Sequence, residues 1–188
     1  MSPLNIYGHS KAAAEQIVLG QHSDTLVVRT SPFFGPWDNY NFVTQVLDTL
    51  GRGAPFTAAS DITVSPTDAP DLVHACLDLV IDRERGVWHL TNDTPLTWIG
   101  LASKAAELAG IDASRLAERR AADFHFQAQR PYYSALGSSR AILLPPLDEA
   151  LSRFIGMRAE PKELEELIHT GQTRQVPGTT QRQVAAPG

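Results

Sequence analysis

The run Thr25-Leu26-Val27-Val28-Arg29-Thr30 decides the fold class. It is short, nearly continuous in apolar and β-branched residues, and lacks the regular polar alternation of a half-solvated strand. That is the pattern of a strand buried on both faces of a parallel sheet. Ahead of it the chain reads as a helix. Ser2 is placed to cap the free amides and Pro3 suits the first helical position. The helix then runs through Lys11-Ala12-Ala13-Ala14-Glu15-Gln16-Ile17-Val18-Leu19 and stops near Gly20. Gly8 inside that helix costs roughly 1 kcal/mol relative to alanine, so something other than propensity is expected to require it.

After the strand, Ser31 to Asn39 is a loop punctuated by Pro32, Gly35 and Pro36 and rich in aromatics. A helix is expected from Asn41 to Leu50, with Phe42, Val46, Leu47 and Leu50 on one face, closed by Gly51-Arg52-Gly53. Ile62-Thr63-Val64 reads as a brief strand. An apolar-periodic helix follows from Asp71 to Asp82, and Gly86-Val87-Trp88-His89-Leu90 reads as another strand. Thr97 is placed to cap a helix from Trp98 to Ala109 that ends at Gly110. Past Arg120 the pattern weakens, until Pro145-Pro146 introduces a helix from Leu147 to Ile155. Lys162 to His169 reads as a last short helix. Residues 170–188, rich in Gln, Thr, Pro and Gly, read as a disordered tail after a domain of residues 1–169. Helices alternating with strands indicate an α/β fold. The strands are too few for a complete doubly wound domain, and the chain opens on a helix with no strand before it.

A net charge of -5, with lysine and arginine scattered, argues against a nucleic-acid-binding surface. The single cysteine, Cys76, cannot staple the fold and gives no sign of an oxidising compartment. The first residues do not form a signal peptide, and no run approaches the roughly 18–20 apolar residues of a membrane span. A cytoplasmic protein without membrane partners is the expectation.

The chemistry centres on Pro3-Leu4-Asn5-Ile6-Tyr7-Gly8-His9-Ser10-Lys11-Ala12-Ala13-Ala14-Glu15. Tyr7 and Lys11 stand four apart on the expected helix and so share a face. An ammonium beside a phenol favours the phenolate, and such a tyrosine can give a proton to a carbonyl oxygen or take one from an alcohol. The lysine can also hydrogen-bond cofactor ribose hydroxyls. Carbonyl reduction needs this pairing, because a nicotinamide delivers hydride to carbon while a proton must reach oxygen. Tyr-x-x-x-Lys alone is common and is usually a surface pair, so the surrounding string carries the weight.

That string resembles the active-site helix of extended short-chain dehydrogenases, and within them most resembles the dTDP-4-dehydrorhamnose reductase family with its substrate-binding domain. Later segments agree in order: Val27-Val28-Arg29-Thr30-Ser31 and the Gly35 loop, Asn41-Phe42, Ser65-Pro66-Thr67, Gly86-Val87-Trp88-His89-Leu90, and Arg130-Pro131 followed by Ser134 and Leu136. The resemblance spans roughly Pro3 to Phe154. It implies the distal part of a Rossmann-type parallel sheet plus a small α/β substrate-binding cap, with the N-terminal nucleotide-binding half missing. It implies reduction of a keto group on a nucleotide-linked sugar with NADP or NAD. Tyr7 would be the proton donor, and Lys11 would hold the nicotinamide ribose. Tyr7, Lys11, Ser31 and Phe33 would border the cofactor; Pro32, Phe34, Asn41 and Arg130 would border the substrate. Arg130 suits a diphosphate, since arginine binds phosphate bidentately, or equally a structural ion pair.

Departures from the family pattern set limits. The glycine-rich phosphate loop is absent, because Gly51-Arg52-Gly53 follows a helix and not a strand. The serine or threonine that helps hold the substrate carbonyl would precede Met1. Pro32 stands where these reductases usually carry a tryptophan, which leaves the sugar open. The isolated chain is therefore expected to bind cofactor weakly, to lack turnover, and to associate with a missing half or with itself. Two other readings stand: a non-catalytic sugar-nucleotide- or partner-binding module, and an NAD-dependent epimerase or dehydratase. The six histidines show no metal spacing, and His89 reads as structural. Asp71, Asp78 and Asp82 read as a solvated helix face, and Trp88 and Trp98 as core.

Overall fold

The computed structural model describes residues 3–159. Helix α1 spans Ile6–Gln21, and Asn5 caps it by accepting the Gly8 amide at 2.9 Å. The helix therefore begins after Asn5 and not after Ser2. A Cβ on Gly8 would lie 3.3 Å from the Pro3 Cβ and 3.5 Å from Asn5 Oδ1. The incoming chain packs that closely against the first turn, which is the requirement that glycine meets at position 8.

Among the described residues eight short strands and four further α-helices follow, with one 3-10 turn at Ala121–Asp123. They are β1 (Leu26–Arg29), β2 (Phe33–Phe34), α2 (Phe42–Gly51), β3 (Phe56–Ala59), β4 (Thr63–Val64) and β5 (Thr67–Asp68). Then come α3 (Ala69–Ile81), β6 (Gly86–His89), β7 (Leu96–Thr97), α4 (Trp98–Leu108), β8 (Leu116–Arg119) and α5 (Leu147–Ala159). Strands β1 and β6 pair in parallel, Leu26 opposite Gly86 and Arg29 opposite His89. The parallel pairing matches the sequence pattern; burial on both faces does not. All four residues of β1 are half-buried. Leu26 and Val28 pack with Ala75, Leu79, Trp88 and Leu90 on the α3 side. Alternation turns Arg29 to the other face, toward α1, which brings no buried residue to cover it.

The other pairs are short. β2 runs parallel to β5, and β4 antiparallel to β7. β3 runs parallel to β8, Phe56 opposite Leu116 and Ala59 opposite Arg119. Residues 132–134 extend this stitching, because Thr63 N donates to Tyr132 O at 2.8 Å and Ser134 N donates to Thr63 O at 2.9 Å.

The interior lies among α2, α4 and α5. Phe34, Val43, Leu47, Leu101, Leu147 and Phe154 form one buried cluster. Val46, Leu50, Ala58, Ala102 and Ala106 form its neighbour. A Leu, Val or Phe side chain buried in this way stabilises the fold by about 1.5–3 kcal/mol. Side-chain caps fix where the inner helices begin: Asn41 accepts from Thr44 N, Asp68 from Asp71 N, and Thr97 from Gly100 N. Helix α5 continues past Ile155 because α2 holds its end. Arg158 reaches Thr44 Oγ1 at 3.2 Å and Asp48 Oδ1 at 2.5 Å. Asp71 is not part of a solvated face, since its side chain is 14% exposed and ion-paired with Arg153 of α5. The helix and tail expected within 162–188 lie outside the described residues. Among the described residues no helix is long and apolar enough to cross a membrane.

Candidate active site

Helix α1 presents Tyr7 and Lys11 one turn apart on its surface. Tyr7 is 70% exposed, and Lys11 Nζ lies 5.6 Å from the centroid of the Tyr7 ring. Ser10 Oγ donates to the Tyr7 carbonyl at 2.8 Å within the same turn. Among the described residues neither Tyr7 Oη nor Lys11 Nζ has a hydrogen-bond partner, so both polar ends are available to a ligand. Asn5, besides capping α1, donates through Nδ2 to the Gln129 carbonyl at 2.9 Å. That bond joins the start of α1 to the segment carrying Arg130.

Arg130 sits over the Phe126 ring at 5.8 Å and has no ion pair among the described residues. It helps line a cavity of about 230 Å³ with His125, Phe126, Gln129 and Tyr132. Phe124 stacks behind Phe126, 5.4 Å between centroids and nearly coplanar. Four residues further on, Ser134 and Leu136 tie the segment to β4 and its extension: Leu136 N donates to Ser65 Oγ at 3.1 Å, and Ser65 N donates to Ser31 Oγ at 3.2 Å. Ser31 thus meets Ser65, which in turn holds the segment following Arg130.

The loop after β1 divides. Pro32 accepts the Thr67 amide through its carbonyl at 2.9 Å, and Phe33 is 52% exposed. Trp37 and Tyr40 further along are 80% and 89% exposed. Phe34 points the other way. It is 2% exposed and meets Phe154 edge-on at 5.6 Å, so its side chain belongs to the core and not to a sugar pocket. Strand alternation is the reason, since Phe33 and Phe34 must face opposite sides. Asn41 is likewise turned inward. Its Oδ1 accepts the Thr44 amide at 2.9 Å, and its Nδ2 donates to Gly35 O, Asp38 O and Thr44 Oγ1. Those bonds occupy the side chain in capping α2.

Residues that sequence reasoning passed over lie behind the pair. Glu15, on the Tyr7–Lys11 face one turn beyond Lys11, accepts from Arg29 Nε at 3.0 Å and Nη2 at 2.6 Å. The Arg29 hydrogen bond holds the Glu15 carboxyl below its usual range, and Glu15 holds the Arg29 guanidinium above its own. The i, i+4 spacing from Lys11 to Glu15 was the available signal. His89 bonds Gly137 O through Nδ1 at 2.8 Å, as befits a structural histidine. Asp68, 2% exposed, has its carboxyl pushed up to about 6, chiefly by burial, and its Oδ1 is unpartnered. Among the described residues no group of three or more His, Cys, Asp or Glu side chains is placed to hold a metal ion.

The model of the RmlD substrate binding domain matches residues 1–154. The chain belongs to that family. Curated relatives of this RmlD-type domain include a dTDP-4-dehydrorhamnose reductase of Mycolicibacterium smegmatis, 32% identical over 140 residues, covering 74% of this chain and 43% of that protein. A dTDP-4-dehydrorhamnose reductase of Mycobacterium tuberculosis is 32% identical over 163 residues, covering 85% of this chain and 54% of that one. The chain spans about half the length of the curated relatives it matches. A solved dTDP-4-dehydrorhamnose reductase of Bacillus anthracis in complex with NADP superposes with a TM-score of 0.76 at 28% identity, over 83% of this chain and 57% of that one. A dTDP-glucose 4,6-dehydratase of the same organism, in complex with NAD, shares the α/β fold at a TM-score of 0.70 and 15% identity, over 87% and 55%.

The residues present fit one part of a nicotinamide dinucleotide. An unengaged phenol and ammonium on one exposed face of α1 suit a ribose and the carbonyl beside it. Among the described residues no glycine-rich loop joins a strand to a helix N-terminus to receive the pyrophosphate.

Proposed function

We propose that this domain serves the NAD(P)H-dependent reduction of a keto group on a nucleotide-linked sugar, with Tyr7 and Lys11 at the reacting carbonyl. The observation that carries the reading is the exposed Tyr7–Lys11 pair on a helix tied at its N-terminus to the Arg130 segment. The family match and the names of the relatives support it. A reduced nicotinamide, held at its ribose by Lys11, would supply hydride for the carbonyl carbon. Tyr7 Oη gives its proton to the carbonyl oxygen, so that the ketone becomes an alcohol, and the phenolate is reprotonated from solvent. Lys11 Nζ stabilises that phenolate and donates to the ribose hydroxyls. Ser31 and Phe33 border the cofactor side. Pro32 borders the substrate, and Arg130, without a carboxylate partner among the described residues, meets the diphosphate.

In this reading the isolated chain binds sugar nucleotide better than cofactor, since no glycine-rich loop among the described residues receives the pyrophosphate of NAD(P)H. Calorimetric titration of the 188-residue chain with a dTDP-sugar and, separately, with NADPH tests this. A dTDP-sugar is expected to bind and NADPH to bind weakly or not at all. Arg130→Gln is expected to weaken sugar-nucleotide binding by about tenfold, the loss of one charge-assisted bond to phosphate. Binding of neither ligand would overturn the reading.

A further inference from the structure

Helix α1 poses a mechanical problem. It carries Tyr7 and Lys11, yet none of its sixteen residues is buried. Apolar packing cannot set its rotation, and a helix free to roll would carry the phenol away from the reacting atoms. Thr25 Oγ1 holds the C-terminal end locally, donating to the Val18 carbonyl at 3.2 Å. The polar contacts nearer Tyr7 converge on one stretch of chain. At the N-terminal end, Asn5 Nδ2 donates to Gln129 O at 2.9 Å. Two turns past Tyr7, Glu15 takes the Arg29 fork through both carboxylate oxygens, with side-chain exposures of 17% and 28%.

Arg29 is itself held. Its Cα partner across the parallel pair is His89, and Nη1 lies 3.3 Å from His89 Nε2. A carbonyl oxygen only accepts, so His89 Nδ1, 2.8 Å from Gly137 O, carries the proton. Nε2 is then a lone pair facing the guanidinium, which fixes the tautomer and the ring. The line Glu15–Arg29–His89–Gly137 therefore ends eight residues beyond Gln129, in the same segment that Asn5 grips. That segment is pinned between its two attachments by Ser134 N on Thr63 O and Leu136 N on Ser65 Oγ.

We infer that Glu15, Arg29 and His89 are positioning residues: they fix the rotation of α1 against the 129–137 segment, so that Tyr7 and the residues bordering the substrate move as one unit. The catalytic consequence rests on the reductase reading; the mechanical coupling does not. A planar fork on a carboxylate sets orientation as well as distance, which suits it to this task better than a lysine.

The test is fluorine NMR of the 188-residue chain labelled with 3-fluorotyrosine, which gives one probe at each of its four tyrosines. Tyr7 reports on α1, Tyr132 and Tyr133 on the segment, and Tyr40, 89% exposed in the loop before α2, serves as the control. Glu15→Gln is expected to shift or broaden the Tyr7 resonance together with Tyr132 or Tyr133, and to leave Tyr40 in place. Arg29→Lys, which keeps the charge and loses the fork, gives the same reading should Glu15→Gln fail to fold. An unchanged Tyr7 resonance overturns the inference, and so does a uniform shift of all four, which marks general loosening. Where turnover is measurable, kcat falls about 10- to 100-fold while KM changes by less than about twofold. Failure of the wild-type chain to bind either a dTDP-sugar or NADPH would sink the reductase reading and leave the fluorine result standing.

Discussion

Helix α1, of 16 residues, and helix α5, of 13 among the described residues, are opposite in how they are held. In α5, Leu147, Ala150, Leu151 and Phe154 are all 0% exposed, locked against α2, α4 and Phe34. In α1 no residue is buried, and Ile6, Ile17, Val18 and Leu19 remain exposed along with Tyr7. One helix is positioned by dispersion and area, the other by a few directional polar bonds. The contrast teaches that the element carrying the candidate chemistry contributes little to the stability of the fold that presents it.

The largest way to break this contrast is Phe154→Ala. Deleting a fully buried ring that meets Phe34 edge-on at 5.6 Å is expected to cost about 3–5 kcal/mol in denaturant unfolding. A loss below about 1 kcal/mol would mean the α2–α4–α5 interior is not a packed core. Next in size is a pH effect that sets the two regions against each other. Burial pushes the Asp68 carboxyl up to about 6, so the folded state holds that proton more tightly than the unfolded chain does. Its contribution to stability is fully present below about 4 and is lost as pH rises through about 6, on the order of 2–3 kcal/mol. Asp68→Asn keeps a capping oxygen and is expected to flatten that part of the stability–pH curve. An identical slope in the variant would remove Asp68 as its source. Glu15 works in the opposite sense. Its carboxyl is held low by Arg29, so its stabilisation exists above the ordinary carboxylate range and is lost as pH falls through the lowered native value. The smallest expected effect is on α1 itself. Ile17→Ala and Tyr7→Phe should each move unfolding by no more than about 0.5 kcal/mol. A larger shift from either would show that α1 is packed after all.

Sequence showed most clearly what is local. The cap at Thr97, the apolar face of α2, and the strand runs around Val28 and Trp88 are each written within a few neighbouring residues, whereas Asn41, read as the first helical residue, proved to be the cap of α2. β3 and β8 were not legible. Phe56-Thr57-Ala58-Ala59 is half alanine and Leu116-Ala117-Glu118-Arg119 ends in two charges, so neither carries a strand pattern. Their pairing joins residues sixty apart and comes from the tertiary fold. The Tyr7–Lys11 spacing was visible because a helix fixes it. Phe33 and Phe34 were not separable by eye, because adjacent aromatics in a loop read alike until a strand turns one in and one out. The Arg29 contacts were hidden for a similar reason: a strand arginine shows its partner only when the opposing helix is in place.

Trp37 stands four residues past Phe33, in the exposed loop between β2 and α2. The three tryptophans of the chain occupy unlike surroundings: Trp37 is 80% exposed, Trp88 lies 7% exposed beneath the Arg140 guanidinium at 3.9 Å, and Trp98 packs on the Phe42 ring at 4.5 Å. The protein therefore carries its own dye. A collisional quencher in water reaches Trp37 ahead of the other two, and the quenchable share of the emission reports on this loop without any label attached.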